Sequence, residues 1–232
     1  MANNYFKFKK FTVFQDGCAM KVGTDGTLLG AWAEGGKHIL DIGTGTGLIA
    51  LMMAQRFPDA NIIGVDIDES SCTQAGRNVR NSIFAERIKI VQSAIQGFLP
   101  DEKFDSVVCN PPFFVDSLNC PDEKRNIARH NSALSFRDLF VAVDRLLDDS
   151  GCFSVVLPTE SFSLFDETAI EHGFRRVKYV AVKTVPRKPA RRCLVAYSKN
   201  FSIDLQNCEE SIEDGSHNRS QWYSELTKDF YL

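Results

Sequence analysis

His38-Ile39-Leu40-Asp41-Ile42-Gly43-Thr44-Gly45-Thr46-Gly47 is the stretch on which the reading of this chain turns. His38–Ile42 reads as a strand, and Leu48–Arg56 just beyond it reads as a helix. The glycines between them allow positive φ and a close backbone approach to a ligand. The helix that follows begins with unpaired N–H groups, which suit an anion or a carboxylate. A glycine-rich strand–helix turn is shared by several nucleotide-like sites, so the spacing has to narrow the choice. It is DxGxGxG with an aspartate in the strand, not the GxGxxG dinucleotide fingerprint, and no GxxxxGK[ST] phosphate loop occurs in the chain.

Working outward, short apolar runs alternate with helical stretches, the mark of βαβ units and a parallel sheet. Strands are expected at Asn61–Val65, Arg87–Val91, Phe104–Cys109 and Cys152–Leu157, then at Arg175–Lys183 and Cys193–Phe201. Helices are expected at Glu69–Asn81, Ser135–Leu147 and Glu160–His172. The polar Ser202–Ser220 segment reads as a loop, and the last dozen residues as a short docked helix. The expected fold is α/β, a doubly wound, mostly parallel seven-stranded sheet of Rossmann-like type with an N-terminal extension. Its expected divisions are an extension over 1–36 packing on the cofactor site, a main domain over 37–201 and a tail over 202–232. In open sheets of this kind ligands sit at the carboxyl ends of the strands. Asp66 ends the second strand of the βαβ series, where a carboxylate can accept hydrogen bonds from two ribose hydroxyls.

Asn110-Pro111-Pro112-Phe113 follows the strand at Phe104–Cys109 and carries a more particular chemistry. An adenine amine or an amide nitrogen is a poor nucleophile, because its lone pair is delocalised. The Asn110 side-chain carbonyl and the Pro111 backbone carbonyl can accept its two protons and free that lone pair. Consecutive prolines fix φ and preorganise both acceptors. Phe113 offers a ring on which an extruded base can stack. Transfer of a group to nitrogen by this route needs neither a metal nor a covalent intermediate. Cys109 invites a covalent mechanism, but its place at the end of an apolar strand points to a core role.

Composition limits the alternatives. The chain has 232 residues, 44% apolar and 25% charged, with a net charge of −3. It contains no apolar run of eighteen residues and no secretory h-region, and its seven cysteines include no CxxC pair. The four histidines form no HExxH motif, so neither a zinc site nor a disulfide framework is expected, and a reduced cytoplasmic protein is. Charge is unevenly placed. Eight basic residues and no acidic one lie between Gly173 and Ser198. Arg187, Lys188, Arg191 and Arg192 fall in a loop expected to flank the active-site edge, where they are candidate phosphate contacts. A solvated charge run is the competing reading. Tyr5-Phe6-Lys7-Phe8-Lys9-Lys10 interleaves rings with lysines and reads first as core strand packing, second as RNA contact.

Residues 38–68 resemble the cofactor half of class I methyltransferases. That resemblance implies S-adenosylmethionine as cofactor, with Asp41, Gly43, Gly45 and Gly47 around its methionine part, Asp66 at its ribose and Ile67 among the cofactor-binding residues. Ser93 and Ala94 would stand at its adenine, where an acidic residue is more usual, and Asn110 at its reactive end. The stretch Lys21-Val22-Gly23-Thr24-Asp25-Gly26, followed by Leu28-Leu29-Gly30-Ala31-Trp32, narrows the match. With NPPFF at 110–114 and Ala128-Arg129-His130, it resembles the bacterial tRNA1(Val) (adenine-37-N6)-methyltransferases. The resemblance covers most of the chain and weakens after Phe201. It implies that Thr24 and Asp25 lie over the methionine end of the cofactor and that the partner is tRNA. For Asp25 a helix cap is the competing role. Three other functions remain open from the residues: methylation of a protein glutamine amide, methylation of adenine in another nucleic acid, and a non-catalytic binding module. Phe113 and the basic stretch favour nucleic acid. The intact Asp41, glycine loop and Asn110 disfavour a module without catalysis.

Overall fold

A computed structural model describes residues 4–16, 21–111 and 134–232. Pro112, Phe113 and Ala128-Arg129-His130 lie outside the described residues, as does most of the 111–134 loop.

The strands are β1 (Tyr5–Lys7), β2 (Thr12–Phe14), β3 (His38–Ile42), β4 (Asn61–Asp66), β5 (Ile88–Gln92), β6 (Phe104–Cys109), β7 (Leu147–Pro158), β8 (Arg175–Lys183), β9 (Arg192–Ser198) and β10 (Gln206–Ser211). The helices are α1 (Thr24–Trp32), α2 (Leu48–Arg56), α3 (Glu69–Arg80), α4 (Phe136–Leu146), α5 (Phe162–Glu171) and α6 (Gln221–Thr227). β1 and β2 form an antiparallel hairpin. The other eight form one sheet in the order β10-β8-β9-β7-β6-β3-β4-β5. β9 runs antiparallel to both of its neighbours, and the remaining pairings are parallel. From β3 the chain steps outward to β4 and β5, then returns to place β6 on the other side of β3. The β3–β6 boundary is therefore the topological switch point, where open α/β sheets bind ligands.

The sheet has eight strands where seven were expected. The extra one, β10, lies in the segment read as a loop. Its sequence, QNCEES, has no apolar alternation and its side chains are largely exposed. A sheet edge needs only backbone partners, so its residues carry little pattern. β7 also begins earlier than expected, at Leu147, directly after α4.

Side-chain alternation along the strands divides the core into two layers. On β9, Cys193, Val195 and Tyr197 face α4 and α5, whereas Leu194 faces the layer of α1, α2 and α6. The first layer centres on Phe140, which is fully buried among Phe153, Phe165, Phe174 and Tyr197. The other packs α2, apolar from Leu48 through Ala54, under α1 and the hairpin. The Tyr5–Lys10 stretch divides accordingly: Phe8 is buried, but Tyr5 and Phe6 keep about half and a third of their surface exposed (51% and 36%). Side chains at N-caps start three helices: Asp68 accepts from Ser71 N at α3, Ser135 from Asp138 N at α4 and Ser220 from Tyr223 N at α6. No helix among the described residues is long and apolar enough to cross a membrane.

Candidate active site

Gly43, Gly45 and Gly47 have φ of 70°, 55° and 80°, the left-handed region that L side chains avoid. A Cβ at Gly43 would meet nothing within 4 Å, so the loop opens onto free space there. The loop is held from below. Gly43 N and Thr44 N donate to Val65 O at 2.8 and 3.1 Å, and Gly45 N donates to Asp66 Oδ2 at 2.9 Å. Asp66 Oδ1 accepts from Asp68 N at 3.0 Å, which fixes the carboxylate at the end of β4. Ile67 beside it is 65% exposed, an apolar side chain left uncovered at the rim.

Asp41 is fully buried one strand from Asn110. Its Oδ2 accepts from Thr44 Oγ1 at 2.7 Å and from Ala50 N at 3.2 Å, in the first turn of α2. Its Oδ1 has no partner among the described residues. Burial pushes the Asp41 carboxyl up to about 7, against the pull of its bonds to Thr44 and Ala50, and the nearby Asp66 raises it further. Gly64 makes room for this arrangement: a Cβ there would stand 2.7 Å from Thr44 Oγ1.

Asn110 follows β6, whose Cys109 pairs in register with Ile42 at the end of β3. Asn110 Oδ1 is likewise buried and without a partner among the described residues. An orphaned buried carbonyl calls for an explanation, and a ligand proton supplies one. Burial pushes the Cys109 thiol well above its usual range, with Asp41 and Asp66 adding repulsion. It is a core residue held neutral, which argues against a thiolate nucleophile.

Thr24 and Asp25 form the first turn of α1, after an N-cap at Gly23 that makes no side-chain bond. Asp25 thus lies inside the helix and is not its cap. A Cβ on Gly26 would come within 3.1 Å of Leu48 Cδ2, so α1 and α2 begin side by side at the glycine loop. Ser93 N donates to Asp66 O at 2.9 Å, and Ser93 Oγ to Ala94 O at 3.0 Å; both residues lie beyond β5 on the same edge of the sheet. Strand register places the basic loop on that edge too, since Arg192 pairs with Pro158 and with Val182. Arg187, Lys188 and Arg191 are exposed and form no ion pair among the described residues, whereas Arg192 Nε is bonded to Asp25 Oδ1. Two supports of this site were missed from the sequence, Thr44 and Asn78. Asn78 carried a faint signal, because asparagine is a poor residue for a helix interior.

A cavity of about 690 Å³ lies elsewhere, between β10 and α6, lined by Glu209, Glu210, Glu213, Asp214, Trp222 and Glu225. Its acidic wall is unsuited to a phosphate backbone.

A glycine cradle at the switch point, a carboxylate fixed at the end of β4 and an orphaned asparagine carbonyl after β6 define a class I S-adenosylmethionine-dependent methyltransferase. The family model described as "Methyltransferase small domain" matches residues 23–183. A tRNA1(Val) (adenine(37)-N6)-methyltransferase of Bacteroides thetaiotaomicron is 45% identical over 100% of this chain and 99% of its own length. A protein of the same name from Phocaeicola vulgatus is 46% identical over 100% and 99%. The chain belongs to this family of tRNA1(Val) (adenine(37)-N6)-methyltransferases. The fold also matches a predicted O-methyltransferase from Agrobacterium tumefaciens, with a TM-score of 0.72, 20% identity and coverage of 89% and 96%.

Proposed function

We propose that this enzyme transfers a methyl group from S-adenosylmethionine to the exocyclic N6 amine of adenine-37 in tRNA1(Val). The observation that carries the chemistry is the buried, unpartnered Asn110 Oδ1 beside the glycine loop. The names of the full-length relatives support the choice of tRNA.

The residues present fit the cofactor. Asp66 would hold the ribose, with Ile67 against the adenine and Ser93 and Ala94 at its edge. The amides that open α2 would take the methionine carboxylate, and Thr24, Asp25 and Asp41 would face its cationic end. When bound, the cofactor supplies an electrophilic methyl on a sulfonium. Asn110 Oδ1 would accept a hydrogen bond from one amine N–H and the Pro111 carbonyl from the other, turning the nitrogen lone pair out of the ring toward that methyl, and the amine would give up one of those protons once the N–C bond has formed. Both carbonyls then stabilise positive charge as it develops on nitrogen. On the chemistry of the residue types, Pro112 would stiffen the NPPF loop and Phe113 would offer a ring to the base. Arg187, Lys188 and Arg191 stand two to three strand spacings from β6, roughly 10–15 Å, within reach of phosphates flanking the extruded nucleotide.

The test is incubation with labelled cofactor and total tRNA from a strain lacking the enzyme, followed by nucleoside mass spectrometry. N6-methyladenosine in a valine tRNA is the expected product. Label in a protein band and none in RNA would transfer the acceptor to a glutamine amide.

A further inference from the structure

The helix-borne Asn78 is fully buried, and no contact with cofactor or acceptor is assigned to it above. Its amide joins three segments distant in sequence. Nδ2 donates to Thr46 O in the glycine loop at 2.9 Å and to Phe14 O in the hairpin at 2.8 Å. Oδ1 accepts from Phe14 N at 2.9 Å. Asn78 therefore pairs with both backbone groups of Phe14, as a third strand would, and spends its remaining N–H on the loop.

That N–H matters because of where Thr46 stands. The Thr46–Gly47 peptide leads into α2, and Gly47 adopts φ 80°. Glycine permits both signs of φ, so the peptide before it flips at low cost unless something holds it. Two bonds do so: Gly47 N donates to Thr44 O at 2.8 Å, and Asn78 holds the Thr46 carbonyl. A flip would turn that carbonyl away from Asn78 and disturb the entry to α2.

We propose that Asn78 is a positioning residue for the cofactor loop, through which the N-terminal hairpin sets the affinity for S-adenosylmethionine. The proposal rests on the reading of residues 43–47 as the cofactor loop. It gives the hairpin a role in cofactor binding by way of one side chain.

Asn78→Asp tests it, since the aspartate keeps the acceptor for Phe14 N and loses both donors. The dissociation constant of S-adenosylhomocysteine, measured by calorimetry, is expected to rise roughly tenfold, the scale of one lost buried hydrogen bond. The KM for tRNA and kcat at saturating cofactor should stay within about twofold of the unmodified enzyme. Leu146→Ala, which opens the buried layer around α4 on the other side of the sheet from the hairpin, is the control for stability alone. An unchanged constant in Asn78→Asp overturns the proposal, as does an equal rise in Leu146→Ala at matched loss of Tm. Should Asn78→Asp fail to fold, hydrogen exchange in the unmodified protein decides. S-adenosylhomocysteine should slow exchange at the Phe14 amide more than at Val180, and equal slowing overturns the proposal. An unmodified protein that does not bind S-adenosylhomocysteine refutes the loop reading itself, a separate outcome.

Discussion

Arg192 Nε donates to Asp25 Oδ1 and so ties the start of β9 to the first turn of α1. The bond separates two groups of basic residues that are continuous in sequence. Arg187, Lys188 and Arg191 are exposed, while Arg192 is bonded to a carboxylate in the first turn of α1. Asp25 also lies in the first turn of its helix, where a negative charge is favoured by the helix dipole.

Replacing Arg187 and Lys188 by glutamate should therefore raise the KM for tRNA and flatten its dependence on salt. Each lost phosphate contact removes about 0.7–0.9 from the slope of log K against log salt. Unchanged salt dependence would assign the loop to solvent.

Arg192→Ala should act on the other substrate. Loss of a partly exposed ion pair is worth up to about 1 kcal/mol, or about fivefold. That effect should fall on the KM for S-adenosylmethionine, with the salt slope for tRNA unaltered. A fall in the slope instead would return Arg192 to the phosphate-binding group.

Asn110→Ala removes the side-chain carbonyl proposed to free the amine lone pair. A drop in kcat of about a hundredfold or more is expected, the scale for losing one preorganised polar contact at a reacting centre. S-adenosylhomocysteine affinity should barely change, because that asparagine acts on the acceptor. Turnover close to that of the unmodified enzyme in a single-turnover assay would sink this assignment.

The Asp41 carboxyl predicts a pH dependence with opposite signs for stability and binding. Its pKa is about 7 in the folded protein against an ordinary value of 3.8, so the fold holds an extra proton between those limits. Stability of the free protein should accordingly decrease as pH rises from about 4 through about 7. Cofactor affinity should increase over the upper part of that range, because a cationic ligand favours ionised Asp41. Asp41→Asn is expected to raise Tm at pH 8 and weaken cofactor binding. Calorimetry in buffers of different ionisation enthalpy should detect proton release on binding near pH 6. An absence of release would place the proton elsewhere.

Much of this site is local, and local features show in a sequence. The 43–47 loop needs glycine wherever φ is positive, so its conformation is written in residue types. The apolar runs at β3, β4 and β6 announce buried strands. β10 was hidden because an edge strand takes its order from β8 and not from its own side chains. Asn78 was hidden for a related reason: its partners, Phe14 and Thr46, lie 64 and 32 residues away.

The sequence by itself determined the βαβ order, the glycine loop after β3 and the place of an asparagine directly after β6. Each depends on backbone conformation or on neighbours a few residues apart. Only the tertiary structure decided which side chains are already taken. It paired Arg192 with Asp25, left Asp41 Oδ1 and Asn110 Oδ1 unpartnered among the described residues, and joined the hairpin to the loop through Asn78. Hydrogen bonds and burial are settled by distance in space, which the order of residues along the chain does not record.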